Sequence, residues 1–110
     1  MNKPKLIYVA GPYRANTEEQ KQVNIKVARD AGAELMRRGY VPFIPHSMTA
    51  DFDIDYPDID DDVYIQTDLC WLRLCDGILM LPNWEDSLGA RIEFEVAVHL
   101  GKAVYSEVPE

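Results

Sequence analysis

Short β-rich segments alternate with segments of helical periodicity along this chain of 110 residues. The first predicted strand, residues 5–10, ends at Gly11-Pro12, a pair that breaks regular structure. The other predicted strands are residues 40–44, 76–81 and 102–105. The predicted helices are one from about residue 16 or 17 to residue 38, a second that contains residues 63–74, and a third that follows Ser87 and ends at Gly101. This alternation predicts parallel strands that are joined by helical crossovers.

The predicted fold is α/β, a small doubly wound parallel sheet of the flavodoxin or Rossmann type. It has four to five strands and helices on both faces. A chain of 110 residues suits one core, so we expect a single domain over residues 1–110. Because ligands bind at the carboxyl ends of parallel strands, we expect the site at residues 11–14, 45–46 and 82–87.

Charge and hydropathy exclude several partners. A net charge of −8 would repel the phosphates of DNA or RNA, so we expect no nucleic-acid polymer as partner. The longest apolar run is too short for a membrane span, and we expect a cytoplasmic protein with no membrane contact. Cys70 and Cys75 match neither a redox pair nor a zinc motif, and we expect both to be reduced.

The third predicted helix has a carboxylate where packing favours an apolar side chain. Helical spacing puts Glu93 on one stripe with Ala90, Ala97 and Leu100. Two interpretations remain open from spacing alone. Glu93 either takes part in chemistry or pairs with a basic residue such as Arg91 or Arg37.

The predicted start of this helix favours an anion site beside Glu93. Ser87 is a good N-cap, and the first amides of a helix attract negative charge. Gly89, one turn before Glu93, would leave open space above its carboxylate. The pattern is common at helix starts and is weak evidence by itself.

Other candidate site residues each have an ordinary alternative. Asp68 on the second helix is either a proton donor or a surface carboxylate, and Arg14 either clamps a phosphate or is a lone surface arginine. His46 either donates to substrate or is solvated, and Trp84 either stacks on a base or covers the core edge. The remaining candidates for substrate binding are Gly11, Pro12, Tyr13 and Asn83.

Seven aspartates between residues 51 and 62 suggest calcium, but the loop does not fit. Counted from Asp51, an EF-hand needs glycine sixth and glutamate twelfth, whereas this chain has Tyr56 and Asp62. Motifs for dinucleotides, ATP and zinc do not occur. We therefore expect neither a metal nor an organic cofactor.

Together these motifs resemble the nucleoside 2-deoxyribosyltransferase superfamily, which includes the 2′-deoxynucleoside 5′-phosphate N-hydrolases and a branch of short bacterial and phage proteins. The resemblance covers residues 8 to about 105. It rests on residues 8–14 (YVAGPYR), Pro45-His46, Asp68 with Leu69 and Trp71, Ser87-Leu88-Gly89, and Glu93 followed four residues later by Ala97.

The resemblance implies a retaining displacement with two carboxyl groups. Glu93 would be the nucleophile at the anomeric carbon, Asp68 the proton donor and later the base, and Tyr8 the residue that orients Glu93. Residues 11–14 would hold the 5′ end of the substrate. Ser87 favours a 5′-monophosphate, because an aspartate at this position would repel one.

The predicted activity is thus cleavage or transfer of the N-glycosidic bond of a (deoxy)nucleoside or its 5′-monophosphate. The alternative is a module that binds or senses a nucleotide or nucleotide-sugar without turnover. In either case the partner is a small nucleoside or nucleotide. Small parallel-sheet domains often assemble, so we expect a homodimer or larger homo-oligomer, with the second and third helices as the candidate interface.

Overall fold

The structure is a computed structural model, and it describes residues 5–110. These residues form four strands, five helices between them and one short 3-10 turn, Trp84–Asp86. The strands are β1 (Leu6–Ala10), β2 (Val41–Phe43), β3 (Gly77–Met80) and β4 (Ala103–Tyr105). The helices are α1 (Glu18–Arg37), α2 (Pro45–Met48), α3 (Phe52–Asp55), α4 (Asp61–Leu74) and α5 (Leu88–His99).

All strand pairs are parallel, in the order β2-β1-β3-β4. β1 lies in the middle, where Tyr8 pairs with Phe43 on one side and Ile78 on the other. The chain moves outward from β1 in both directions, so the strand order reverses next to it. The prediction of a doubly wound α/β fold with four to five parallel strands is confirmed, with four strands among residues 5–110.

The sheet separates two apolar layers, because successive side chains of a strand point to opposite faces. Tyr8 and Ala10 of β1 pack in the layer beneath α4 and α5. Ile7 and Val9 face the other way and pack against α1 through Ala28 and Leu35. Helices therefore cover both faces, as predicted.

The buried faces of α1 and α4 differ from the predicted ones. On α1 the buried residues are Lys21, Ile25, Ala28, Gly32 and Leu35, whereas the predicted Val23, Val27 and Met36 are exposed. On α4 the buried residues are Leu69 and Leu72, whereas Val63, Trp71 and Leu74 are exposed. Apolar residues also cover much of a protein surface, so an apolar stripe does not identify the buried face uniquely.

The segment after β2 was predicted as an irregular loop over residues 46–61, and this prediction is wrong in part. It contains the two short helices α2 and α3, and Pro45 is the first residue of α2. Proline suits this position because the first helical amide needs no partner within the helix. The segment lies near the loop after β1, since the Asp51 amide donates to Tyr13 Oη at 2.9 Å.

The helix ends agree with the predicted signals. The Gln20 amide donates to Thr17 Oγ1 at the start of α1, and Gly39 follows its end with a φ of +86°. Gly11, after β1, is required for a different reason: a Cβ atom there would lie 2.7 Å from the Cβ atom of Leu81. Within residues 5–110, no helix is both long and apolar enough to cross a membrane.

Candidate functional site

A cavity of about 870 Å³ opens at the carboxyl ends of the strands, within the usual range for small-molecule sites. Its wall is formed by the loop after β1, the start of α1, helix α2, one face of α4, and the start of α5. The predicted site residues in this wall are Gly11, Pro12, Tyr13, Arg14, His46, Asp68, Asn83, Ser87, Gly89 and Glu93. The predicted crevice is therefore present, and it brings most of the candidates together.

Glu93 lines this cavity and is 8% exposed. The stripe on α5 buries Ala90, Glu93 and Ala97 as predicted, although Leu100 is exposed. Tyr8 Oη, from the central strand, donates a hydrogen bond to Glu93 Oε2. No arginine among residues 5–110 forms a salt bridge with Glu93, so the alternative of a pair with Arg91 or Arg37 is wrong in the structure.

Burial dominates the electrostatics of this pair. It raises the pKa of Glu93 to about 8, against the lowering effect of the Tyr8 hydrogen bond and together with the negative charge of Asp68. Burial also raises the pKa of Tyr8 well above its ordinary value, and the neighbouring Glu93 raises it further. The Tyr8 hydroxyl therefore remains a donor, and Glu93 can exchange a proton near neutral pH.

Asp68 contributes a second carboxyl group to the same cavity from α4. It is half-buried, and burial raises its pKa to about 6. Its charge raises the pKa of both Glu93 and Tyr8, whereas the pKa of Asp68 itself is raised by burial. The interpretation of Asp68 as an ordinary surface carboxylate is therefore not supported.

The start of α5 borders the cavity beside Glu93. Ser87 is its N-cap, and Ser87 Oγ accepts from the Ala90 amide at 3.2 Å. A Cβ atom at Gly89 would meet only Ser87 Oγ, at 4.0 Å, so the space around Gly89 is open. Asn83 also lines the cavity, in the left-handed region with a φ of 66°.

His46 is buried rather than solvated, and it holds the loop after β1. Its Nε2 lies 3.1 Å from the Gly11 carbonyl oxygen and 2.9 Å from that of Pro12. Because both partners are acceptors, Nε2 has the proton. Burial lowers the pKa of His46, so the ring is neutral. The Nε2 proton of His46 is thus donated to the loop after β1. This corrects the prediction that His46 donates to substrate.

Arg14 and Trp84 differ in their relation to the cavity. Arg14 lines it and pairs with Asp61 at the start of α4, with both side chains largely exposed. Trp84 is not in the wall. Its ring stacks on Phe94 with a centroid distance of 4.8 Å and packs against the α4–α5 layer. The prediction that Trp84 stacks on a base is not supported, and covering the core edge is its role here.

A buried lysine that was not predicted from the sequence lies close to the cavity. Lys21 is 4% exposed, and its Nζ lies 2.9 Å from Glu18, 3.3 Å from Asp51 and 3.5 Å from Asp53. It thereby ties the segment around α3 to α1. The signal was present in the sequence, because residues 21, 25, 28, 32 and 35 follow the three-four spacing of a buried stripe.

Two buried polar atoms of the cavity wall have no hydrogen-bond partner within the described residues. They are His46 Nδ1 and Tyr64 Oη. In the same part of the chain, no group of three or more His, Cys, Asp or Glu side chains is placed to hold a metal ion.

Comparison with known proteins gives a family and a fold. A family model described as "Domain of unknown function (DUF4406)" matches residues 5–106. Among solved structures, a 2-deoxyribosyltransferase from the psychrotolerant bacterium Bacillus psychrosaccharolyticus has a TM-score of 0.60 at 19% identity. The match covers 96% of this chain and 77% of that one. No curated protein matches the sequence. At this identity the likeness shows a common fold.

Proposed function

The chain belongs to the family described as a domain of unknown function, DUF4406, and on that premise we propose that it cleaves or exchanges an N-glycosidic bond. The substrate is a (deoxy)nucleoside or its 5′-monophosphate, and Glu93 is the nucleophile. One observation supports this most strongly. A buried glutamate, oriented by Tyr8 from the central strand, lies in the wall of a nucleoside-sized cavity with a second carboxyl group, Asp68.

In the first step, a Glu93 carboxylate oxygen attacks the anomeric carbon of the sugar. The bond from this carbon to the base nitrogen breaks, and its electron pair goes to the base. Asp68 donates its proton to the leaving base and becomes a carboxylate. The product is a glycosyl ester on Glu93. Tyr8 occupies Oε2, so Oε1 is the oxygen available for attack.

In the second step, water or a second base attacks the same carbon from the opposite side. The Asp68 carboxylate takes the proton of the incoming nucleophile, and the ester bond to Glu93 breaks. Both side chains return to their starting states. Two displacements retain the configuration of the anomeric carbon, and the identity of the acceptor distinguishes hydrolysis from transfer.

The likeness to a 2-deoxyribosyltransferase supports this proposal at the level of fold. A structural likeness alone does not fix an activity, since one fold hosts many functions. The proposal therefore depends on the side chains in the cavity. Glu93 and Asp68 are two carboxyl groups with different surroundings, and because the pKa of Glu93 is about 8 and that of Asp68 about 6, the form with ionised Glu93 and protonated Asp68 is a minor one.

The test is a panel of deoxynucleosides, ribonucleosides and their 5′-monophosphates, with free base measured by chromatography. We expect base release by the wild type and at least about 100-fold less by Glu93→Gln, which removes the nucleophile. Glu95→Gln, on the exposed side of the same helix, is the matched control and should retain the rate. Equal rates for the wild type and Glu93→Gln would contradict the proposal.

One observation favours a second function, ligand binding without turnover. With a pKa of about 8, most Glu93 side chains are neutral at pH 7 and can donate a hydrogen bond to a ligand. A sensor of this kind would gain thermal stability from nucleosides or nucleotides without releasing base. Thermal shift over the same panel, followed by chromatography of each stabilising ligand, distinguishes the two functions.

A further inference from the structure

We propose that Asp61 is a specificity residue that selects against a 5′-phosphate by occupying Arg14 at the cavity mouth. This inference rests on the proposed function and narrows its substrate. It departs from the preference for phosphate that Ser87 suggests.

The charges of the cavity wall are the first support. Within residues 5–110, six carboxyl groups line the cavity, and Arg14 is the one lysine or arginine that does so. The six are Asp53, Asp61, Asp62, Asp68, Asp86 and Glu93. Even if Glu93 is neutral, carboxylates exceed cations, and a phosphate enters a region of negative potential.

The nearby cations are already paired, and this is the second support. Arg14 Nη2 donates to Asp61 Oδ1, and Lys21 is surrounded by Glu18, Asp51 and Asp53. A guanidinium binds phosphate best through two parallel hydrogen bonds, and the contact with Asp61 uses part of that donor set.

The Arg14–Asp61 pair is weak by itself, because the two side chains are 60% and 67% exposed. The selection against a phosphate comes instead from the unpaired charge that would remain if the phosphate displaced Asp61 from Arg14. A phosphate that took Arg14 would leave the Asp61 carboxylate unpaired, next to Asp62 and to the phosphate's own charges. An uncharged 5′-hydroxyl has no such cost.

The start of α5, by contrast, favours phosphate binding, since the first amides of a helix attract anions. Here the Ser87 hydroxyl already caps the helix by accepting from the Ala90 amide. This leaves fewer donors for a phosphate at this end of the cavity. The balance of the described contacts thus favours a nucleoside over its monophosphate.

The test compares kcat/KM for one deoxynucleoside and for its 5′-monophosphate. The wild type should prefer the nucleoside, and Asp61→Asn should raise the monophosphate-to-nucleoside ratio by about 10- to 100-fold, the effect of one charge-assisted hydrogen bond. Asp58→Asn makes the same change in charge within the same acidic segment, but Asp58 does not line the cavity. It should change the ratio by about 3-fold or less.

A binding measurement with inorganic phosphate separates this inference from the proposed function. Phosphate should stabilise Asp61→Asn in a thermal shift assay more than it stabilises the wild type, and adding Arg14→Gln should remove this gain. If no variant releases base, the proposed function fails and the phosphate assay alone decides the role of Asp61. An unchanged substrate ratio in Asp61→Asn, or equal phosphate stabilisation of both proteins, would overturn the inference.

Discussion

Tyr8 Oη donates a hydrogen bond to Glu93 Oε2 and thereby joins the central strand to helix α5 across 85 positions of sequence. Both side chains are buried, and within residues 5–110 this contact is the side-chain hydrogen bond found for each of them. Burial of such a pair costs free energy unless the hydrogen bond is made. This contact fixes the position of the carboxyl group that the proposed chemistry uses.

The first prediction concerns Tyr8 as a positioning residue. Tyr8→Phe removes the donor that lowers the Glu93 pKa, so this pKa should rise further and the ionised nucleophile should become rarer. We expect kcat/KM for base release to fall by about 10- to 100-fold at pH 7. Tyr40→Phe is the control, because Tyr40 bonds to the Glu110 carbonyl away from the cavity. A merely structural role would lower stability without moving the pH profile.

The second prediction is a bell-shaped pH dependence. The productive form needs ionised Glu93 and protonated Asp68, whose pKa values are about 8 and about 6. Below pH 6 the rate falls because ionised Glu93 becomes rarer while Asp68 is already protonated. Above pH 8 it falls because protonated Asp68 becomes rarer while Glu93 is already ionised. The rate should therefore be highest near pH 7, where only about 1% of the enzyme is in the productive form.

Asp68→Asn tests the assignment of this profile. The variant has no acid to lose at high pH, so the residual rate should rise through the Glu93 pKa and then level off. The loss of rate should be larger for a base that leaves poorly than for a base that leaves without protonation. A profile in Asp68→Asn that still falls above pH 8 would contradict the role of Asp68.

The third prediction concerns stability and pH. The pKa of Glu93 is raised from an ordinary 4.5 to about 8, so the folded state retains a proton that the unfolded state loses. The resulting stability is fully present below pH 4.5 and is lost as pH rises through 8. Glu93→Gln has no proton to lose here, so its free energy of unfolding should exceed that of the wild type by about 2–4 kcal/mol more at pH 8 than at low pH.

Chemical denaturation at pH 5, 6.5 and 8 measures this gain. Glu95→Gln, the exposed control on the same helix, should show no comparable trend with pH. A Glu93→Gln variant whose advantage stays constant from pH 5 to pH 8 would show that Glu93 does not bind a proton in this range.

The fourth prediction concerns Lys21, which ties the segment around α3 to α1. Lys21→Met keeps an apolar stem but removes the charge that three carboxylates share. We expect the midpoint of thermal unfolding to fall by about 4–8 °C. Lys26→Met is the control, since Lys26 is exposed and, within residues 5–110, pairs with Asp30 alone. Equal effects of the two variants would contradict a special role for Lys21.

The sequence predicts where the strands lie along the chain and the position of Glu93 because both depend on local patterns. Short β-rich runs ended by glycine or proline locate the strands, and spacing on α5 locates the buried carboxyl group. The hydrogen-bond partner of Glu93, by contrast, does not follow from a local pattern. Tyr8 could be suggested only by family resemblance, because nothing local to either residue indicates a contact between the central strand and α5.

The sequence fails where apolar side chains lie on the surface or polar ones lie inside. Val63 and Leu74 have the spacing of a buried stripe but face outward on α4, so their pattern misplaces the helix face. Lys21 belongs to the buried stripe of α1, but a pattern that counts only apolar residues does not include a lysine. His46 was predicted in a loop because the four-residue helix α2 is too short to show a period.

The central claim is that Glu93 forms a covalent bond with the sugar, and mass spectrometry of the protein tests it most directly. The protein is mixed with a deoxynucleoside, quenched in acid within the first turnovers and digested. We expect the mass of one deoxyribosyl group on the peptide that contains Glu93, and its absence in Glu93→Gln. Base release without this adduct in the wild type, at a rate that Glu93→Gln retains, would contradict the account.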